Sequence, residues 1–200
     1  MLEQRIQQHF IESADLKYQA AQVLSPHIGA AIQAMLACVT NGAKMLVCGS
    51  GSSAAQAQQL ADFCVMGFER ERPELAALAL VHDAMWMASA PTGAGADIAA
   101  LARQVRALGQ AGDLLFVITT GGNEPALLEA VQAAHERDMT VAALTGRDAG
   151  ALATLLRETD VQICVPHDRA ARVREVHALV LHCLCDGMDA QLLGDQESFL

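Results

Sequence analysis

The sequence contains few aromatic residues, and this shortage limits how its core can be built. Phe, Trp and Tyr make up 4% of the 200 residues, whereas 52% are hydrophobic, so the surplus is aliphatic residues and alanine. Such side chains suit helices that pack closely on a sheet or on each other. A hydrophobic surplus of this size also suggests buried surface between subunits, and we therefore expect an oligomer.

Basic residues are scarce as well. The chain has 13 Lys and Arg against 23 Asp and Glu, which gives a net charge of −10. Broad contact with a phosphodiester backbone is unfavourable for an acidic protein unless a local basic patch overrides the net charge. We expect no direct nucleic-acid partner.

The sequence also lacks an apolar run long enough to span a membrane and cysteines spaced as CxxC pairs. No uninterrupted apolar run approaches the roughly 20 residues that cross a bilayer, and the N-terminal MLEQRIQQHF is polar where a signal peptide is apolar. The six cysteines form no CxxC pair and lie inside apolar segments, which is typical of free thiols in a core. We expect a cytoplasmic protein with no membrane contact, no disulfides and no thiolate zinc site.

Two helices are predicted before any strand. Apolar residues recur at helical spacing from Leu2 to Leu24. Ser25-Pro26 then offers an N-cap and a first-turn proline for a second helix, which ends at the stop signal Asn41-Gly42. The N-terminal part is therefore predicted to be a helical pair.

After this pair, short apolar runs alternate with polar loops and helical segments. The runs predict buried strands at residues 45–48, 75–81, 114–118, 140–144 and 161–165. Between the second and third strands, His82-Asp83 predicts a short helix through Trp86, followed by a loop. The last helix, 169–193, is apolar nearly all round, so a neighbouring subunit is expected to cover part of it.

This alternation predicts an α/β fold, namely a three-layer αβα sandwich around a five-stranded parallel sheet of flavodoxin-like strand order. One domain should span 1–200, with the helical pair at 1–42, the αβα core at 43–168 and the C-terminal helix and tail at 169–200. In that strand order the first and third strands are neighbours at the switch point. The loops 49–53 and 119–124 are then expected to face each other across a ligand crevice.

The first of these loops, Gly49 to Ser53, joins a strand to a helix, and this arrangement favours a bound anion. The loop lacks the third glycine of a dinucleotide site, no acidic residue stands about 20 positions on at the end of the second strand, and the Gly-Lys-Ser/Thr of a P-loop is absent. Two interpretations remain open, a hydroxyl-rich phosphate cradle and an ordinary βα turn. The hydroxyls and glycines of the second loop favour the cradle.

Five segments carry a resemblance to a known family: CGSGSSAAQAQQLA, FERERP, RQVRALGQAGDLLFVITTGGN, ALTGRDAGALA and ARVREVHALVLHCLCD. Over nearly its whole length the chain resembles the sugar-isomerase (SIS) domain family, in the branch of phosphoheptose isomerase and the DnaA-associating protein DiaA. FERERP, RQVRALGQAGD and HCLCD look most similar to the latter. The resemblance implies a homotetramer and phosphosugar binding by Ser/Thr-rich loops, with Ser53, Thr119, Thr120 and Asn123 as candidate ligands of the sugar phosphate.

The positions implied to be catalytic have changed. Where the isomerase has a His as metal ligand and a Glu as general base on the helix after the first loop, this chain has Gln59 and Phe63. A neutral amide is a poor ligand for a transition metal and a phenyl ring cannot move a proton. A Gln that the isomerase uses on the last helix is Arg174 here, and only His182 matches a catalytic His. His177, on another face of that helix, is predicted to be a core histidine.

Two further residue patterns affect the expected function. Glu124 stands where the family has a small hydroxyl residue, and its carboxylate would repel a phosphate and compete for the same N–H groups. By resemblance, Leu192 and Leu193 lie near the partner surface of the DnaA-associating protein.

From these departures we expect a non-catalytic homotetramer that binds the replication initiator DnaA and promotes initiation of chromosome replication, without a metal or other cofactor. Two alternatives stay open. One is a phosphoheptose isomerase acting on sedoheptulose 7-phosphate, with zinc. The other is a phosphosugar-binding sensor.

Overall fold

The computed structural model describes residues 1–80 and 96–194. The strands of its sheet are β1 (Met45–Gly49), β2 (Ala77–Leu80), β3 (Leu114–Ile118), β4 (Thr140–Gly146) and β5 (Val161–Val165). The helices are α1 (Leu2–Thr40), α2 (Ser53–Met66), α3 (Ala96–Leu108), α4 (Pro125–Glu136), α5 (Leu152–Leu155) and α6 (Ala170–Leu193). The short helix predicted after His82 lies outside the described residues.

The strands form one five-stranded parallel sheet in the order β2-β1-β3-β4-β5. Every residue of β1 and β3 is buried, because helices cover both faces of the sheet. A parallel pair cannot be closed by a tight turn, and helical crossovers such as α2 and α4 join the strands instead. The predicted αβα sandwich with its flavodoxin-like strand order is confirmed.

The core is divided by the sheet into two clusters. Met45 and Val47 of β1 pack with residues of α1, α2 and α6 on one face. Leu46 and Cys48 point to the other face and pack with residues of α3 and α4. Successive strand residues thus serve opposite cores, which is why the strands read as unbroken apolar runs.

The N-terminal part is one helix, so the predicted helical pair is wrong. α1 runs from Leu2 to Thr40 with Pro26 inside it. The proline removes one backbone N–H, and the Ser25 hydroxyl donates a hydrogen bond of 2.5 Å to the Ala21 carbonyl one turn earlier. Leu24 and Ala31, on either side of the proline, are both buried in the core, and this packing holds the helix continuous. The predicted end at Asn41-Gly42 is correct, with Gly42 at φ 74°.

α1 is also long and apolar enough to cross a membrane, judged by length and composition alone. An 18-residue window within it reaches a mean hydropathy of 1.5. The mostly buried core helix of a soluble protein and a signal sequence near the N-terminus pass the same test, and 22% of this window is buried. Six side chains of α1 enter the core: Leu16, Ala20, Leu24, Ala31, Met35 and Cys38.

Candidate functional site

The carboxyl ends of β1 and β3 form the expected crevice. The two strands pair directly, and their last residues, Gly49 and Ile118, lie opposite each other. The loops that follow them therefore start side by side at the point where the strand order reverses. The predicted neighbourhood of the two loops is confirmed.

The first loop is a tight turn into α2. The Ser53 N–H donates to the Ser50 carbonyl at 3.0 Å, and Gly51 takes a φ of 57° that few side chains tolerate. A Cβ at Gly49 would lie 2.5 Å from the Ser53 carbonyl oxygen, so only glycine fits there. This turn aims the positive end of α2 into the crevice.

A cavity of about 270 Å³ lies against this turn. It is lined by the first loop, by Leu101 of α3 and by Ala126 and Leu127 of α4. Ser53, a candidate phosphosugar ligand, is buried at the first turn of α2, next to this lining. A cavity of this volume has room for a small anion or the phosphate end of a sugar.

In the second loop, residues 119–124, the polar groups form hydrogen bonds with one another. The Thr119 hydroxyl donates to Glu124 Oε1 at 2.8 Å and accepts from the Gly121 N–H at 3.1 Å. The Gly122 N–H donates to Glu124 Oε2 at 3.1 Å. Thr119 is buried, and Thr120 is partly exposed beside it. Of the candidate ligands in this loop, Thr119 thus already binds a carboxylate of the chain itself.

The side chain of Asn123 is hydrogen-bonded to a residue outside the second loop. Its side-chain oxygen accepts from the Ala151 N–H at 2.8 Å, and the Leu152 N–H donates to the Gly122 carbonyl at 2.9 Å. These bonds fasten the second loop to the start of α5. A Cβ at Gly150 would lie 2.5 Å from the same Asn123 oxygen, so the contact is close. The structure gives Asn123 a positioning role in the loop.

Phe63 and His182 meet in a cluster of three rings, which we call the ring cluster: Phe63, Phe68 and His182. The Phe63 ring packs on Phe68 with centroids 5.0 Å apart, and on His182 at 5.8 Å. Phe68 and His182 lie 5.2 Å apart. Phe63 comes ten residues after Ser53 on α2, so the cluster lies about 15 Å along the helix from the first loop. Within one chain, the cradle and the ring cluster are separate places.

Gln59 lies one turn before Phe63 on the same helix and is partly exposed. Its amide and the Phe63 ring stand where the family resemblance implies a metal ligand and a base. In the part of the chain that the structure describes, no group of three or more His, Cys, Asp or Glu side chains is placed to hold a metal ion. A zinc ion does not fit the residues present here, because an amide, a phenyl ring and one imidazole are a poor donor set.

His177 is a core histidine, as predicted. It is fully buried, and its Nε2 donates to the Thr145 carbonyl at 3.0 Å. Burial lowers the pKa of His177 to about 4, because desolvation disfavours the charged ring. The imidazole is therefore neutral at physiological pH and supports the packing of α6 on β4.

A buried ion pair that no sequence pattern indicated supports the ring cluster. Arg72 Nε lies 2.6 Å from Asp189 Oδ1, and both side chains are at most 2% exposed. The same guanidinium donates to the carbonyls of Phe63 and Cys64, each at 2.8 Å. It thereby ties the end of α2, which carries Phe63, to α6, which carries His182. The FERERP segment indicated a polar loop, and only its folded position shows that one arginine is buried.

Comparison with known proteins assigns the family. Residues 8–146 match the SIS domain family. A phosphoheptose isomerase of Methylibium petroleiphilum is 57% identical over 198 residues, covering 98% of both chains, and one of Azoarcus sp. is 47% identical over 193 residues, covering 96% of this chain and 98% of the relative.

Solved structures agree with this assignment. The phosphoheptose isomerase GmhA of Neisseria gonorrhoeae superimposes with a TM-score of 0.86 at 44% identity, covering 95% of this chain and 100% of that chain. The enzyme of Francisella tularensis gives 0.88 at 40% identity, covering 94% and 98%.

The chain is thus a member of the SIS domain family. Within it, the chain belongs to the phosphoheptose isomerase family.

These relatives correct the expected function. The expectation of a non-catalytic protein that binds the initiator DnaA is wrong, because the relatives at 47–57% identity and the similar structures are phosphoheptose isomerases by name. The special likeness to the DnaA-associating protein has no support. Leu192 and Leu193, the expected initiator contacts, are exposed at the end of α6, and the comparisons give no support to that role.

Proposed function

We propose that this protein is a sugar-phosphate isomerase that acts on sedoheptulose 7-phosphate. The observation that carries the proposal is the 57% identity over 198 residues to a phosphoheptose isomerase. The crevice adds physical support, since the turn at Gly49–Ser53 presents backbone N–H groups and the positive end of α2 to a cavity of about 270 Å³.

Isomerisation of a ketose to an aldose moves a proton between two neighbouring carbons, which requires a group that can take up and release a proton. His182 is the imidazole of this chain that matches a catalytic position of the family. It is partly exposed, so a substrate can reach it. Because a zinc ion does not fit Gln59, Phe63 and His182 together, we propose that this chain works without a metal.

The proposal is tested by incubating the purified protein with sedoheptulose 7-phosphate, with and without added zinc, and following the aldose product by NMR. We expect turnover in both samples at similar rates. The absence of turnover at micromolar protein over hours would contradict the proposed activity. Turnover only with zinc would contradict the metal-free mechanism.

A second candidate function is phosphosugar binding without turnover, that is, a sensor. Phe63 favours it, because the ring cluster fills the place where the family resemblance implies a general base. A rise in melting temperature with sugar phosphates, combined with no product in the NMR assay, would identify this case.

We also propose that the protein is a homotetramer of the cytoplasm. Large apolar side chains of α1, such as Leu2, Phe10 and Tyr18, are each more than 70% exposed in the single chain, and a second copy would bury them. Light scattering after gel filtration should give about four times 21.1 kDa. A monomer mass would contradict the assembly.

A further inference from the structure

The second loop contains a carboxylate in the position of a ligand. We infer that Glu124 is an internal anion that closes this loop to phosphate. The inference deepens the proposed function and rests on it for the substrate class. It concerns which donors of the crevice remain for a phosphate.

The two oxygens of Glu124 each take one donor of the loop. Oε1 accepts from the Thr119 hydroxyl at 2.8 Å, and Oε2 accepts from the Gly122 N–H at 3.1 Å. The Gly121 N–H is directed to Thr119 Oγ1 at 3.1 Å. The Thr119 hydroxyl and the N–H groups of Gly121 and Gly122, three donors that a phosphate could use here, are thus already bonded inside the chain.

The start of α4 offers little in addition. Pro125 has no N–H, and the N–H groups of Leu127 and Leu128 both donate to the Glu124 carbonyl, at 3.0 and 3.2 Å. Of the first N–H groups of this helix, that of Ala126 is the one left without a backbone acceptor. A helix N-terminus of this kind lacks the set of donors that usually binds an anion.

The loop is also held in place from behind. Asn123 is bonded to the Ala151 N–H, and a Cβ at Gly122 would lie 2.0 Å from the Ala149 carbonyl oxygen, so the backbone there is tightly packed. The carboxylate therefore sits in a rigid frame, where the positive end of α4 stabilises its negative charge. A phosphate would meet an occupied site and a like charge at close range.

The first loop has no carboxylate of its own, although the N–H groups of Ser53 and Ala54 donate within the turn to the carbonyls of Ser50 and Gly51, at 3.0 and 3.1 Å. Ser50, Gly51 and Ala54 line the cavity of about 270 Å³, and none of the described residues that line it is acidic. The crevice is thus asymmetric, with a bound carboxylate on the β3 side and none among the described lining residues on the β1 side. Glu124 is the residue that closes the β3 side to phosphate.

The matched variant for testing this is Glu124→Gln. The amide has the same size and can still accept from Thr119, but it carries no charge. Inorganic phosphate is titrated into ¹⁵N-labelled protein, and the backbone amide shifts give both the affinity and the location. In the unmodified protein we expect no shifts at Gly121 and Gly122. In the variant we expect at least tenfold tighter binding, with shifts at Gly121 and Gly122.

Glu129→Gln is the control, because it removes one charge from the same helix outside the loop. Its affinity for phosphate should stay within twofold of the unmodified protein. Glu124→Ser, which places a small hydroxyl in the loop, repeats the test should the Gln variant fold poorly. Equal affinities of the Gln or Ser variant and the unmodified protein would overturn the inference, as would shifts of Gly121 and Gly122 in the unmodified protein.

The phosphate titration and the turnover assay can fail independently of each other. Should sedoheptulose 7-phosphate give no product, the proposed function fails, while a gain of phosphate binding in Glu124→Gln still supports the internal anion. Should the product form but the variant bind phosphate no better, the activity stands and the inference falls.

Discussion

Phe63 of α2 and His182 of α6 pack edge to face, with ring centroids 5.8 Å apart and ring planes at 62°. Phe68 contacts the same imidazole from another direction, at 5.2 Å. The one retained acid–base candidate is thus held by two phenyl rings while it remains partly exposed. Its ring partners among the described residues are apolar.

Replacing His182 by Gln should lower the turnover of sedoheptulose 7-phosphate by about 100-fold, because general acid–base groups typically contribute 100-fold or more. The rate is measured by NMR, and phosphate binding in the same samples should be unchanged. Phe68→Leu serves as the control, since it alters the packing around the imidazole but keeps the proton-carrying group. A His182→Gln rate equal to that of Phe68→Leu would remove His182 from the chemistry.

A side chain at position 122 should lower the free energy of unfolding, because it would collide with the backbone of Ala149. The same substitution at Gly112 is the control. Gly122 has a φ of 104°, and a Cβ there would meet the Ala149 carbonyl oxygen at 2.0 Å. Gly112 has a φ of 89° with nothing within 4 Å. Gly122→Ala should therefore lose about 3 kcal/mol of unfolding free energy, and Gly112→Ala about 1 kcal/mol from backbone strain alone. Urea unfolding measures both, and equal losses would show that the contact with Ala149 has no effect.

Stability should fall in mild acid because of His177. Burial lowers the pKa of His177 to about 4 in the folded protein, against about 6.5 in the unfolded chain. Below pH 6.5 the unfolded chain takes up a proton that the folded protein does not. The contribution of the neutral His177 to the unfolding free energy is therefore fully present above pH 6.5 and is lost as the pH falls to 4. The loss amounts to about 3 kcal/mol.

The comparison that isolates this contribution is with His177→Gln, which does not titrate there. Unfolding free energies of both proteins are measured by urea between pH 7.5 and 4. The advantage of the unmodified protein over the variant should shrink toward acid pH. A constant difference would mean that His177 is protonated in the folded state as readily as in the unfolded one.

Removing one partner of the Arg72–Asp189 pair should destabilise the fold strongly. Both side chains are at most 2% exposed, so Asp189→Ala leaves a buried guanidinium without its carboxylate. Such changes cost about 3–5 kcal/mol. The surface pair of Arg106 and Glu136 provides the contrast, because both side chains are well exposed, and Glu136→Ala should leave the melting temperature nearly unchanged. Similar melting temperatures for the two variants would contradict the structural role of the buried pair.

At Pro26 the local sequence pattern predicts the wrong structure. Ser25-Pro26 predicts a new helix start, yet α1 passes through it, because buried residues on both sides of the proline hold the chain on one axis. The stabilisation from that packing exceeds the cost of the lost hydrogen bond. Packing partners of this kind are distant in the sequence and leave no trace in the local pattern.

The sequence by itself determined the strands, the order of the sheet and the place of the crevice, because buried parallel strands are continuous apolar runs and their order follows from short right-handed crossovers. It also identified His177 as a core residue and located Glu124 at a helix start. The tertiary structure alone decided what the polar side chains bind. It placed Glu124 on the donors of Thr119 and Gly122, turned Asn123 toward Ala151 and buried Arg72 beside Asp189. The reason is physical: apolar burial follows a period that can be read along the chain, whereas a hydrogen bond depends on the relative position of two atoms, which only the folded chain determines.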